Sequence, residues 1–171
     1  ARFKSVWVIT DGSAVQIADA VGSGAYGVIS PDAAPVYDFY DKIGASAEDG
    51  SRASVLSRAP FAAAHRGYRG LHAENTVGAI EDAAAVGATH VEIDIRFSED
   101  KEIVVYHNDN ITYNGSSVPV SSLTLSELQS VSLAGGTSED VIPTIEDVFE
   151  AVESGETGDL ILIIEFKGRE A

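Results

Sequence analysis

The sequence predicts an α/β protein with a TIM-type (β/α) barrel, in which parallel strands alternate with helices. Three observations predict this class. Short apolar runs recur along the chain, stretches with helical apolar spacing follow them, and polar residues stand where the runs end. A complete barrel usually needs about 250 residues. Because the chain has 171 residues, we expect a partial or permuted barrel.

The middle of the chain carries the clearest strand and helix signals. Residues 61–65 form a short apolar run that stops at an Arg-Gly pair, which predicts a buried strand. Residues 75–88 repeat apolar side chains at helical spacing, and polar residues at their start can cap the helix. Residues 90–97 alternate strictly between apolar and polar side chains, which predicts a second strand. Glu92 and Asp94 therefore point from the same face of one strand.

A returning strand is predicted at residues 103–107, where β-branched and aromatic side chains follow a polar turn. If Asp100 and Lys101 form a two-residue loop, the hairpin register places His107 opposite Asp94. We therefore expect His107 to join the carboxylates on that face.

Residues 160–164 form the most apolar run, too short to cross a membrane, and predict a strand buried on both faces. Glu165 and Lys167 follow this run, two residues apart and on one face. Carboxylates forced side by side repel each other, and they are usually tolerated when a cation lies between them or one is protonated. Together with Glu92 and Asp94, Glu165 therefore predicts a site for a hard divalent cation.

Six short motifs now stand in order along the chain. They are His65-Arg66-Gly67, Glu74-Asn75-Thr76, Glu92-x-Asp94, His107, Ile142-Pro143-Thr144 and Glu165-x-Lys167. In order and approximate spacing, this set resembles the glycerophosphodiester phosphodiesterase family, over about residues 61–168. One position departs from the family pattern, because Asn108 follows His107 where an aspartate is usual, although Asp109 is adjacent.

The resemblance implies a barrel of the phospholipase-C-like phosphodiesterase type. Its implied reaction is hydrolysis of a small glycerophosphodiester to sn-glycerol 3-phosphate and an alcohol, assisted by one Mg²⁺ or Ca²⁺ on the three carboxylates. Four catalytic residues are implied: His65 and His107 as general acid and base, in either order, and Arg66 and Lys167 as contacts to the phosphate.

Residues 1–44 repeat the strand and helix pattern as a β-α-β-α unit. This unit resembles, more weakly, the end of the same barrel, because Trp7 stands in its first strand and a Gly-Val-Ile-Ser segment (27–30) in its second. The resemblance implies that Trp7 contributes to the substrate site. Thr10 replaces the usual asparagine after the first strand, and Pro31 replaces the usual aspartate after the second.

Residues 45–60 lack apolar periodicity and predict a linker between this barrel end and a barrel start in residues 61–171. Such an order arises in a tandem protein or in a permuted, joined barrel. We favour the joined barrel, because Trp7 and the motif residues would then share one pocket. Five parallel strands in a row leave two free edges, so we expect completion by another chain segment or self-association.

Local signals elsewhere are weaker. An Asn-Gly pair at 114–115 predicts a turn, and Thr124 and Thr144 have capping-box spacing before short helices. His72 and His90 lie outside the six motifs, and we interpret both as structural.

Composition excludes several classes of partner. The net charge of −16 opposes binding to nucleic acid or to an anionic membrane surface. It also opposes an anionic phosphodiester, so that substrate requires local positive charge from Arg66, Lys167 and a metal ion. No run is long enough for stable membrane insertion, and the absence of cysteine excludes disulfides and thiolate chemistry.

Two other functions stay open from the sequence. One is a related phospholipase D acting on choline phospholipids, which should show an apolar patch or loop, whereas residues 108–117 are polar. The other is an inactive fragment or binding module, because roughly three strands of an eight-stranded barrel are lacking.

Overall fold

The computed structural model describes residues 6–23, 25–45, 61–154, 157 and 160–168. Its strands are β1 (Trp7–Ile9), β2 (Gly27–Ser30), β3 (Ala62–His65), β4 (His90–Phe97), β5 (Ile103–Val105), β6 (Asn110–Tyr113), β7 (Ser116–Pro119) and β8 (Ile161–Phe166). Its helices are α1 (Ala14–Gly22), α2 (Ala34–Ala45), α3 (Val77–Ala85), α4 (Leu125–Gln129) and α5 (Ile145–Glu153), with a 3₁₀ turn at Val120–Ser122. Of the predicted linker, residues 46–60 lie outside the described residues.

The main sheet places five parallel strands in the order β1-β2-β3-β4-β8. This order confirms the predicted partial barrel, including the parallel pairing of β2 with β3 across the linker. β5 runs antiparallel to β4 and begins beyond the point where β3 stops. A separate hairpin, β6-β7, turns at the predicted Asn-Gly pair, whose two residues both have positive φ.

Helices α1, α2, α3 and α5 lie on one face of the parallel strands. α3 and α5 bury their apolar residues against Val91, Ile93 and Ile95 of β4. The opposite face, here called the inner face, carries Glu92 and Asp94, because side chains alternate along a strand. Strict alternation thus assigns one side of β4 to packing and the other to polar chemistry.

Side-chain caps fix where four of the described helices begin. Ser13 accepts from the backbone N–H of Gln16 at the start of α1. Thr76 accepts from the backbone N–H of Ala79 at the start of α3. Thr124 and Thr144 each form a complete capping box, with Glu127 and Asp147 as the reciprocal residues, which confirms both predictions. None of the described helices is both long and apolar enough to cross a bilayer.

The prediction that residues 160–164 form a fully buried strand is wrong. In the described part of the chain, β8 pairs with β4 on one side and with no strand on the other. Ile161 is therefore 52% exposed and Phe166 is 77% exposed, while Leu160 just before the strand is buried. The apolar sequence of β8 is typical of a strand that pairs with a strand on each side, whereas among the described residues β8 pairs with β4 alone.

The chain reverses sharply after β3. Arg66 and Gly67 both adopt left-handed φ angles, of 62° and 84°. The N–H of Arg66 donates to the carbonyl of Glu92 at 2.8 Å, and its carbonyl accepts from the N–H of Asn75 at 2.9 Å. A Cβ on Gly67 would lie 2.7 Å from the carbonyl carbon and oxygen of Ala79. The reversal therefore packs directly on the first turn of α3.

Replacing Gly67 with alanine should destabilise the fold by at least about 2 kcal/mol, because it adds a steric clash to an unfavourable φ. Gly115→Ala is the matched control, since its φ is +77° and nothing lies within 4 Å of an added Cβ. That variant should lose only about 1 kcal/mol. Urea unfolding measures both changes, and equal losses would show that backbone conformation alone sets the requirement at Gly67.

Candidate active site

Three carboxylates converge on the inner face, near the carboxyl ends of β4 and β8. They are Glu92 and Asp94 from β4 and Glu165 from β8, and one oxygen of each lies within 4.8 Å of the others. The parallel register places Asp94 directly beside Glu165. Glu92 is 5% exposed and Asp94 is fully buried, so both charges are removed from water.

The donor set fits a hard divalent cation. Both carboxylate oxygens of Glu92 and the Oδ1 atom of Asp94 are buried without a hydrogen-bond partner among the described residues. Burial, followed by repulsion from Asp94 and Glu165, raises the pKa of Glu92 to about 7. Buried oxygen atoms that lack protons and partners are costly, and coordination to Mg²⁺ or Ca²⁺ satisfies them.

Asp94 is held from several sides. Its N–H donates to Oδ1 of Asn75 at 3.1 Å, and Nδ2 of Asn75 donates to Asp94 Oδ2 at 3.0 Å. Nε of Arg66 lies 3.2 Å from Oδ2, and Nζ of Lys167 lies 3.4 Å from Oδ1. The sequence placed Asn75 in a family motif and as a possible helix cap, whereas the structure makes it the main support of Asp94.

Positive charge borders the cluster on two sides. Arg66 Nη1 lies 2.9 Å from Oε1 of Glu74, whose other oxygen binds Arg69 at 3.1 Å. Lys167 Nζ lies 2.6 Å from Oε1 of Glu165, and this hydrogen bond raises the pKa of Lys167. Arg66 and Lys167 therefore meet the cluster as cations at neutral pH.

His65 ends β3 beside the cluster. Its Nε2 lies 3.7 Å from Oε2 of Glu92, the residue opposite it in the β3-β4 register. Burial, followed by the neighbouring Arg66 charge, lowers the pKa of His65 below its usual value. The ring is therefore neutral near pH 7, so its contact with Glu92 is not a charged pair there.

The predicted hairpin register is wrong by one residue. Ile95 pairs with Val105, so the N–H of Tyr106, and not His107, faces Asp94 and donates to its carbonyl at 2.9 Å. The loop has three residues instead of two, because Lys101 takes a left-handed φ of 71°.

His107 therefore lies past the end of β5. Within the described chain, no hydrogen bond or ion pair joins its ring to the carboxylate cluster, and its Nδ1 lies 2.9 Å from Oδ1 of Asn108. β5 pairs with the same edge of β4 as β3 does, so the segment that carries His107 still runs back toward the end of β3.

Arg96 fixes this segment, and the sequence gave no sign of that role. Its Nε donates to the carbonyl of His107 at 3.0 Å, its Nη2 donates to the same oxygen, and its Nη1 lies 2.7 Å from Oδ1 of Asp109. The Arg96 side chain is 11% exposed, so this nearly buried cation depends on both partners. Asp109 thus binds Arg96 instead of orienting His107.

Trp7 lies at the opposite end of the sheet, which corrects its predicted substrate role. Its ring contacts Tyr26, Phe61 and His90 at centroid distances of 5.9, 6.4 and 5.0 Å. It also covers Gly27, where a Cβ would lie 2.3 Å from the indole. These residues stand at or just before the amino ends of four strands, so Trp7 does not share a pocket with residues that follow the carboxyl ends.

A parallel (β/α) sheet with charged residues at the carboxyl ends of its strands defines part of a TIM-type barrel that carries a site at its usual catalytic end. Residues 65–170 match the model of the glycerophosphoryl diester phosphodiesterase family. The chain belongs to this family.

Individual relatives match about half to three fifths of the chain. It is 36% identical over 95 residues to glycerophosphodiester phosphodiesterase of Bacillus altitudinis, covering 52% of this chain and 38% of the relative. It is 33% identical over 99 residues to lysophospholipase D GDPD1 of Rattus norvegicus, covering 51% and 31%. An Oleispira antarctica phosphodiesterase, solved with the product sn-glycerol-3-phosphate, is 28% identical with a TM-score of 0.53, covering 61% and 43%. The chain spans less than half the length of each.

In the presence of a metal chelator, the free energy of unfolding of the chain should fall as the pH rises from about 4.5 to about 7. The unfolded Glu92 carboxyl releases its proton near 4.5, whereas the folded one holds it until about 7. Between these values the folded state alone keeps the proton, so rising pH favours unfolding, by up to about 3 kcal/mol. Glu92→Gln should lack this part of the fall in urea unfolding. Parallel pH profiles for the two proteins would contradict the raised pKa.

Proposed function

We propose that this chain supplies the metal-binding and catalytic part of an enzyme that hydrolyses glycerophosphodiesters to sn-glycerol 3-phosphate and an alcohol. The observation that carries this proposal is the buried carboxylate cluster bordered by Arg66 and Lys167. Family membership and the product named in the Oleispira structure support the substrate class.

Glu92, Asp94 and Glu165 would hold one divalent cation, Mg²⁺ or Ca²⁺. When bound, the cation polarises a non-bridging phosphate oxygen and neutralises part of its charge. Asn75 and Arg66 orient Asp94 for this purpose, and such supporting contacts are typically worth 10- to 100-fold in metal affinity or activity. Both carboxylate oxygens of Glu92 lack a hydrogen-bond partner among the described residues, so they are available to bind the cation.

Arg66 and Lys167 would draw an anionic substrate to a chain whose net charge is −16. Both side chains lie within 3.4 Å of Asp94, so their charges are already beside the proposed cation site. As the phosphorus gains a fifth oxygen, negative charge grows on the equatorial oxygens, and fixed cations stabilise it.

His65 and His107 would act as general acid and base, in an order that we leave open. His65 is neutral near pH 7 and adjoins Glu92, so its ring can accept a proton from an attacking hydroxyl. Arg96 holds the backbone of His107 in place beside the same edge of β4. A correctly placed acid or base accelerates such reactions by about 100- to 10,000-fold.

Lysophospholipase D activity is a second candidate. One relative carries that name, and a pocket beside Lys167 is lined by polar residues, including Arg96 and Asp109, and by six apolar side chains. Those side chains are Ile95, Phe97, Ile103, Pro119, Val120 and Phe166. An acyl chain could lie in this pocket. The sequence did not indicate such a site, because residues 108–117 are mostly polar. Faster turnover of lysophosphatidylcholine than of glycerophosphocholine would favour this candidate.

With Mg²⁺ or Ca²⁺ present, the chain should release sn-glycerol 3-phosphate from glycerophosphocholine, and a chelator should abolish the release. His65→Ala should lower the rate by about 100-fold or more, because it removes an acid or base. Glu150→Gln, at an exposed position on α5, is the control and should retain full activity.

Calorimetry tests the metal site separately from turnover. Glu92→Gln should weaken Mg²⁺ or Ca²⁺ binding at least about tenfold, since it removes a charged ligand, while Glu150→Gln should not change it. Unchanged affinity in Glu92→Gln would remove Glu92 from the ligand set.

We also propose that the free edges of β1 and β8 pair with those of a second copy of the chain. Ile9 and Ile161 lie on these edges and are 70% and 52% exposed. Exposed apolar edges favour strand addition, whereas the charge of −16 opposes association at low salt.

In analytical ultracentrifugation at 0.15 M salt or above, the sedimenting mass should therefore exceed the 17.9 kDa of one chain as concentration rises. Ile9→Lys should reduce association without changing the secondary structure, because it places a charge on one edge. A monomer at every concentration would contradict the proposal.

A further inference from the structure

Asp140 forms a second buried centre outside the carboxylate cluster. Its side chain is 4% exposed, and three donors surround it. Oδ1 lies 2.7 Å from Nδ1 of His72, while Oδ2 accepts from the N–H groups of Ala73 and Thr137 at 2.9 and 2.8 Å. One carboxylate thus joins two segments that are 67 residues apart in the sequence.

Two glycines leave room for this contact. A Cβ on Gly136 would lie 2.0 Å from Oδ2 of Asp140 and 2.6 Å from the nitrogen of Ala73. A Cβ on Gly78 would lie 2.5 Å from Nδ1 of His72. The backbone on both sides therefore approaches the pair more closely than any other residue type permits.

Charge supports the same contact. Burial alone raises the pKa of Asp140, but hydrogen bonds from Ala73, His72 and Thr137 lower it below its usual value. The hydrogen bond to Asp140 raises the pKa of His72. A buried carboxylate with three donors is fully satisfied, so removing it leaves two backbone N–H groups unpaired.

The bound segment leads directly to the carboxylate cluster. Ala73 accepts from Oγ1 of Thr76 at 2.7 Å, and the N–H of Asn75, between them, donates to the carbonyl of Arg66 at 2.9 Å. Asn75 in turn makes two hydrogen bonds to Asp94. A short series of contacts therefore runs from Asp140 to a proposed metal ligand.

We propose that Asp140, with His72, is a positioning residue that holds residues 66–76 against Asp94. Asp140 touches none of the three carboxylates in the described structure, and it acts through Asn75. The part of this inference that concerns metal affinity rests on the proposed function.

Amide hydrogen exchange by NMR tests the positioning role without a metal ion. The Asp94 N–H donates to the Asn75 side chain, so its exchange rate reports this contact. Asp140→Ala should speed that exchange about tenfold, because two unpaired N–H groups loosen the segment. Asp140→Asn keeps one acceptor oxygen and should show a smaller increase, which also serves if the alanine variant does not fold.

Asp100→Ala is the matched control. Asp100 likewise joins two segments, accepting from Ser98 Oγ at 2.6 Å and from the N–H of Leu125 at 3.0 Å, but away from residues 66–76. The Asp100→Ala variant should leave the exchange rate of the Asp94 amide unchanged. Faster exchange at Ala73 and Thr137 alone, with Asp94 unaffected in both Asp140 variants, would overturn the proposal.

Mg²⁺ titrations of wild type, Asp140→Ala, Asn75→Ala and the double variant give the second measurement. Asp140→Ala should weaken affinity about tenfold in the wild-type background and add no loss to Asn75→Ala, because both act through one contact. Equal losses in both backgrounds would overturn it. If wild type binds neither Mg²⁺ nor Ca²⁺, the proposed metal site fails, and exchange at Asp94 still decides the positioning role.

Discussion

The placement of two like charges on one strand, out of contact with water, is the constraint on which the rest of this structure depends. Glu92 and Asp94 are nearly or fully buried, and Glu165 brings a third carboxylate beside them. Without compensation, such a set costs several kcal/mol, so neighbouring elements must supply positive charge, protons or hydrogen bonds. Residues from two strand ends and one loop meet this demand.

Compensation is unequal between the two buried carboxylates. Asp94 has a cation on each side and two hydrogen bonds to Asn75, so its orientation is fixed. Among the described residues, Glu92 has only a long contact to His65 and two oxygens without hydrogen-bond partners, and burial raises its pKa to about 7. One carboxylate is thus anchored while the other stays free to accept a proton or a cation. This division suits a metal site that must assemble on a preformed frame.

The strands and the acidic face followed from the sequence because they depend on local alternation. β4 was predicted with its observed ends, and the parallel order followed from the predicted barrel, whose last strand pairs with its first. The register of β5 was not predicted correctly, because Lys101 adopts a left-handed backbone conformation that is uncommon for lysine. The roles of Asn75 and Arg96 were also missed, since each depends on a contact between segments. Sequence patterns report which face a residue occupies but not which distant group it meets.

The two ends of the inner face differ in chemistry, and Trp7 lies at the end opposite the carboxylates. At the amino ends, the indole fills the space that Gly27 leaves open and packs on Phe61 and His90. These rings form an aromatic cluster at the amino ends of the strands, away from the carboxylates. The resemblance to the family assigned Trp7 to the substrate site, whereas its packing partners place it at the amino ends of the strands.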